Sequence, residues 1–206
     1  MSAAGTERPI VRRGGSRTRR EAQRVALELF TRQGYEATSL RQIADELGIN
    51  KASLYYHFAS KEAILRSLLE DRGSEAEELL AWLRDQPRTP ELIESAVLRW
   101  VDSFSADKLH GIRFMAANPI VTRTLSVGEG DRIGAGLAEL ADNLVSLLPS
   151  PTPSDALLLR MAILSINAAV EAAADADIPD ADVLAAAHEA AQALVRQVGA
   201  RRDRTA

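Results

Sequence analysis

The residues with most chemical content in this 206-residue chain lie in one short run, Lys51-Ala52-Ser53-Leu54-Tyr55-Tyr56-His57-Phe58. On a helix, with Leu54 as the buried anchor, Phe58 shares the buried side and Ala52 and Tyr56 point nearly opposite. Ser53 and Tyr55 flank that outward face, and Lys51 and His57 sit at its boundary. The face offers hydroxyls, a cation and one small side chain, which suits phosphates and base edges in a major groove. For either tyrosine alone, packing on a neighbouring helix is the commoner arrangement; the combined pattern favours exposure. Lys61 falls in the first turn of the next helix, where the dipole disfavours a cation by ~0.3–1 kcal/mol unless an anion lies nearby. Thr38, Ser39 and Ser60 stand beside helix-start amides that themselves seek anions.

Other chemistry finds little support. The chain has no cysteine, which excludes disulfide scaffolds, thiolate zinc sites and cysteine nucleophiles. His57, His110 and His188 are too scattered for a local metal motif. Gly128-Glu129-Gly130 lacks a third glycine, since Ile133 stands there, and no phosphate loop or nucleophile elbow occurs. We therefore expect neither enzyme, metal nor cofactor. The first twenty residues are arginine-rich without an apolar segment, and no apolar run approaches membrane-spanning length, so a cytoplasmic protein is expected.

Charge divides the chain. Residues 1–61 carry eleven Lys and Arg against six Asp and Glu, a net of +5; the remainder carries a net of −9. A basic head on an acidic body suggests that the head meets a polyanion. An acidic protein partner would satisfy the same charge, so a helical interaction or scaffolding protein stays open as the alternative.

The elements that must position these residues are all helical; no segment alternates over strand length. Residues 1–15 read as a disordered basic arm. A first helix spans about 16–33, with Ala22, Val25, Ala26, Leu29 and Phe30 as its apolar stripe and Gly34 as its stop. A second, capped by Ser39 with Gln42 as a capping box, repeats the stripe at Leu40, Ile43, Ala44 and Leu47. Gly48-Ile49 makes the tight turn, and Asn50 caps a third helix over 51–57. Further helices are expected at about 60–84, 90–105 (Thr89 cap), 107–117, 119–126, 131–148, 154–175 and 180–202. The domain division is 1–15 arm, 16–62 helix-turn-helix unit and 63–206 helical body.

Within that frame, Arg20 to Leu65 resembles the TetR family of transcriptional repressors. The resemblance rests on Ala26, Leu29, Phe30, Gly34-Tyr35, Thr38-Ser39-Leu40, Ile43-Ala44, Leu47-Gly48-Ile49, Ser53 through Phe58 and Ser60-Lys61-Glu62, in order and without a gap. It implies a three-helix DNA-binding domain and a larger helical domain for dimerisation and ligand sensing. By the family pattern, Thr38, Ser39 and Arg41 meet backbone and groove edge. Ala52, Ser53 and Tyr56 face bases, with Lys51 beside them, and Tyr55, His57 and Lys61 hold phosphates. Ala52 departs from a position where many members carry glycine, and Asn50 from a cap often filled by serine.

In the body, half the positions from Ala168 to Ala193 are alanine, which lets helix axes approach closely. Leu157 to Val170 is apolar nearly all round, as in a helix buried on most sides. We expect 154–175 and 180–202 to pair with their copies in a homodimer, since a palindromic operator of double-stranded DNA needs two heads. Trp100, Phe104, His110, Phe114, Met115 and Asn118, with Asn167 and Glu171 on a polar stripe, form the candidate pocket for a small-molecule effector. Core packing accounts for the aromatic group equally well, and a solvent-facing edge is the commoner reading of the stripe.

Overall fold

The structure, a computed structural model, describes residues 13–89, 91–126, 132–174 and 176–203. It is all-α: no strand occurs among the described residues. Two compact units divide between Ile64 and Leu65.

The first unit is a three-helix arrangement, followed by the start of a fourth helix. α1 (Arg13–Gln33) buries Ala22, Val25, Ala26, Leu29 and Phe30, the stripe expected from spacing, and adds Leu27. It starts three residues before the expected Ser16, so the arm's last residues are helical; residues 1–12 lie outside the described residues. α2 (Leu40–Glu46) and α3 (Lys51–His57) follow, each of seven residues. Helices this short are not stable alone; Leu40, Ile43, Ala44 and Leu54 hold them by burial, each large side chain contributing about 1.5–3 kcal/mol.

α4 (Lys61–Arg84) runs unbroken past Gly73 and carries the chain into the second unit. There α5 (Leu92–Asp102), α6 (Ala106–Ala117), α7 (Pro119–Ser126), α8 (Arg132–Ser146), α9 (Pro153–Ile163), α10 (Ser165–Ala172) and α11 (Asp180–Asp203) follow. α11 packs on α5, α9 and α10, and α8 packs on α9. Leu140, Leu144, Leu159, Ile163, Ile166, Val97 and Trp100 form the centre of the core.

Two expected elements differ. α5 begins at Leu92, with Glu91 before it making no side-chain cap; Pro90 lies outside the described residues. The single helix expected over 154–175 is broken at Leu164. The amide of Asn167 bonds Leu164 O at 3.0 Å, and Ile163 O accepts the Trp100 indole N–H at 3.1 Å instead. A side chain entering the i→i−4 ladder is a recognised cause of such a break. α9 starts at Pro153, with Thr152 and Asp155 as a reciprocal capping box.

Candidate nucleic-acid interface

The turn between α2 and α3 is a Schellman motif. Ile49 N bonds Ala44 O at 3.0 Å, Gly48 N bonds Asp45 O at 3.1 Å, and Gly48 holds φ +66°. Ser39 caps α2: its Oγ accepts from Gln42 N at 3.3 Å while Gln42 Oε1 accepts from Ser39 N at 2.8 Å. Asn50 Oδ1 accepts from Ser53 N at 2.7 Å, which fixes the entry of α3. At the far end Phe58 N bonds Leu54 O at 2.9 Å. Each cap is worth roughly 1 kcal/mol, a large fraction of what two turns of helix can supply.

Leu54 is fully buried and Phe58 nearly so, which sets the rotation of α3. Tyr56 is 76% exposed, Tyr55 is 45% exposed, and Lys51 and Ala52 are also exposed. Ser53 and His57 are half-buried. The Lys51 ammonium lies 5.2 Å from the Tyr55 ring centroid, and the Tyr56 and His57 rings meet edge-on at 5.2 Å. These ring contacts are among neighbours on the same helix, so the hydroxyl face is preorganised. Arg41 is exposed on α2, 3.9 Å from Asp45, a loose surface pair that leaves the guanidinium accessible.

Two expected contacts have other roles. Thr38 is only 2% exposed; its hydroxyl donates to Gly34 O at 2.8 Å and accepts from Gln33 Nε2 at 3.1 Å. It closes the loop after α1 and does not lie on the outer surface. Lys61 is an internal tie: its Nζ donates to Tyr35 O at 2.7 Å and sits 4.2 Å from the Tyr35 ring centroid. Glu36 O at 3.4 Å and the Glu36 carboxylate at 3.5 Å complete its surroundings, and its side chain is 18% exposed. The dipole cost at the start of α4 is thus offset by carbonyl oxygens of the same unit. Ser60 Oγ accepts from Ala63 N at 3.2 Å and caps the same helix.

The tie has a second strand that sequence reasoning missed. Tyr35 Oη donates to Glu62 Oε1 at 2.8 Å. Burial pushes the Tyr35 phenol above its ordinary pKa, and Glu62 raises it further. At Glu62, burial pushes the carboxyl up, but hydrogen bonds from Ser60, its own amide and Tyr35 outweigh it, and the group is held below the usual value. Arg19 on α1 lies 5.1 Å from the Phe58 ring centroid, a further contact with no spacing signature.

The candidate effector residues in the second unit do not form one lining. Trp100, Phe104 and Phe114 are buried in the core, Met115 and Asn118 are half-buried, and His110 is exposed. Asn118 Nδ2 donates to Phe114 O at 2.8 Å, closing the end of α6. Asn167 and Glu171 lie on the solvent side of α10, so the stripe is an edge. Arg160 on α9 bonds Asp142 at 3.2 Å. Among the described residues no group of three His, Cys, Asp or Glu is placed to hold a metal, and no helix is long and apolar enough to cross a membrane.

With this geometry in view, residues 24–68 match the family model for bacterial regulatory proteins of the tetR family. The chain is 37% identical over 94 residues to the transcriptional repressor KstR2 of Rhodococcus jostii, covering 44% of this chain and 46% of that protein. It is 34% identical over 114 residues to the regulator TcmR of Streptomyces glaucescens, covering 52% and 49%. The matched stretches thus span about half the length of these curated relatives. Among solved structures, AmtR of Mycobacterium smegmatis superposes with a TM-score of 0.54 at 24% identity, over 97% of this chain and 98% of that one. The TetR-family regulator PfmR of Thermus thermophilus does so with a TM-score of 0.50 at 24% identity, over 86% and 96%. At such identities the structural likeness is one of fold; the sequence match falls on α1 through the start of α4, where the caps, the turn and the outward face of α3 lie. The N-terminal region, residues 24–68, is similar to the bacterial regulatory proteins of the tetR family.

Proposed function

We propose that the protein is a homodimeric, ligand-responsive transcriptional regulator, a repressor that binds a palindromic operator through α3. The observation that carries this reading is the face of α3, with Tyr56, Tyr55, Lys51 and Ala52 turned outward over a buried Leu54. Ser39 and Arg41, exposed on α2, reach backbone and groove edge. Ala52, Ser53 and Tyr56 read bases, and Lys51, Tyr55 and His57 meet phosphates. Two copies set these helices in successive major grooves, about 34–36 Å apart.

An apolar row on α9 and α10 supports the dimer. Leu157, Met161, Leu164 and Ala168, spaced 4, 3 and 4, are exposed. Beside them, exposed alanines at 186, 190 and 193 on α11 allow close helix approach. A second copy laid on this row buries what one copy leaves in water. An effector in the second unit would act through α4, the helix shared by both units, with a coupling of ~1–3 kcal/mol.

The deciding experiment is a gel shift on the DNA upstream of the protein's own gene at moderate salt. Sequence-preferring binding with steep salt dependence is expected. If competitor DNA of unrelated sequence removes the shift as well as that region does, the operator reading fails.

A further inference from the structure

Around Trp100 the polar bonding of the second unit is incomplete. The Arg72 guanidinium lies 4.3 Å from the Trp100 ring centroid and 3.8 Å from that of Phe104, and these two rings stand perpendicular at 5.6 Å. Its Nη1 donates to Glu75 and reaches Ser103 Oγ at 3.5 Å. Its Nη2 is buried and has no acceptor. The only other buried side-chain atom in this condition among the described residues is Ser165 Oγ. Ser165 is 4% exposed and stands two residues past Ile163, whose carbonyl takes the Trp100 N–H. Of these two unpartnered polar atoms, Arg72 Nη2 belongs to the guanidinium over the Trp100 ring, and Ser165 Oγ lies two residues along the chain from the indole's acceptor.

Charge points the same way. The other oxygen of Glu75 meets Lys108 Nζ at 2.7 Å, and Lys108 also donates to Ser103 O at 2.6 Å. The trio of Arg72, Lys108 and Glu75 carries one positive charge in excess. Burial lowers the Arg72 pKa to about 10 against the opposing pull of Glu75, which still leaves it charged at neutral pH. A buried guanidinium with a free donor favours a planar anion. A single excess charge matches a carboxylate better than a phosphate dianion, and the Trp100 and Phe104 rings favour an organic tail.

We propose that the effector is an organic carboxylic acid whose carboxylate is received by Arg72 Nη2 against Trp100, with Ser165 available as a second polar contact. The site touches three elements at once. Arg72 is on α4, Trp100 on α5, and Ile163 and Ser165 flank the break whose Leu164 belongs to the exposed apolar row. A carboxylate that re-aims Arg72 and Trp100 thus acts on the α9–α10 break that carries the dimer row. The assignment rests on the reading of the protein as a ligand-responsive regulator.

The test is calorimetric titration of the full chain with octanoate, octanamide and inorganic phosphate, repeated on Arg72→Gln and Ser165→Ala. Octanoate is expected to bind at least about ten-fold tighter than octanamide, as loss of a charge-assisted bond implies. Arg72→Gln should weaken octanoate by a similar factor and remove the preference over octanamide, while Ser165→Ala weakens both ligands less. Equal binding of octanoate and octanamide overturns the proposal, as does wild-type octanoate affinity in Arg72→Gln. Absence of octanoate binding at millimolar concentration also overturns it, as does a preference for phosphate over octanoate, which would replace the organic acid with an inorganic anion. If Arg72→Gln does not fold by circular dichroism, the octanoate-to-octanamide ratio of the wild type decides alone. Operator binding measured in parallel separates the two readings: DNA binding without carboxylate binding removes only this site, whereas carboxylate binding without DNA binding removes the regulator.

Discussion

Tyr56 is the residue on which the proposed recognition turns. It is 76% exposed and touches only its neighbour His57 among the rings described, so Tyr56→Ala should change stability by less than about 0.5 kcal/mol. If it reads an operator, affinity should fall by ~1–3 kcal/mol; fluorescence anisotropy and a melting curve on the same sample check both. Lys61 behaves oppositely. Its bonds to Tyr35 and Glu36 are internal, so Lys61→Ala should lower stability by up to ~1.5–3 kcal/mol. The slope of log affinity against log salt should stay unchanged, where loss of a phosphate contact would reduce it by about one. Glu62 adds a pH signature. Its carboxyl is held below the ordinary value in the fold, so its stabilisation is complete above the usual carboxylate pKa and is lost as pH falls through and below that range. Glu62→Gln should flatten the acid side of the melting-temperature profile and leave the neutral side little changed; an unaltered profile would remove Glu62 from the tie.

At the scale of elements, the turn of the helix-turn-helix depends on one backbone conformation. Gly48 sits at φ +66°, and nothing lies within 4 Å of where a Cβ would stand. Gly48→Ala therefore meets no clash and costs only the left-handed strain, about 1–2 kcal/mol, while Gly48→Asn should cost less. Urea unfolding of the pair checks the order. This turn was legible because its parts are local: a glycine stop, the Ser39–Gln42 box and the Asn50 cap each follow from residues within four positions. The α3 orientation was legible for the same reason, since Leu54 and Phe58 share one side. What escaped was long-range. Lys61 finds carbonyls 25 and 26 residues away, and the partner of Ile163 O comes from an indole 63 residues earlier. No hydrophobic spacing encodes either. The break at Leu164 followed; in one copy Leu157, Met161 and Leu164 of the apolar stretch remain exposed. Aromatic residues mark cores and cavities alike, so the spacing of Trp100, Phe104 and Phe114 does not tell a pocket from core packing.

For the whole molecule, the +5 head and −9 body set different demands on solution conditions. Binding to a polyanion weakens with salt, while the proposed association through Leu157, Met161 and Leu164 would be apolar and nearly salt-independent. The two contributions can therefore be pulled apart. Replacing both Met161 and Leu164 by Glu places four carboxylates in a two-fold contact and desolvates them, which should convert a dimer into monomers by sedimentation at micromolar concentration. Both side chains are already solvent-exposed in one copy, so each monomer should keep its helical signal and melt within a few degrees of the wild type. Affinity for a full palindrome should then drop to that for a half-site, because the second head no longer acts at high effective concentration. Affinity for an isolated half-site should be unaffected. If the doubly substituted protein still sediments as a dimer, another face joins the copies; if it is monomeric yet binds the palindrome as before, two heads are not needed for recognition.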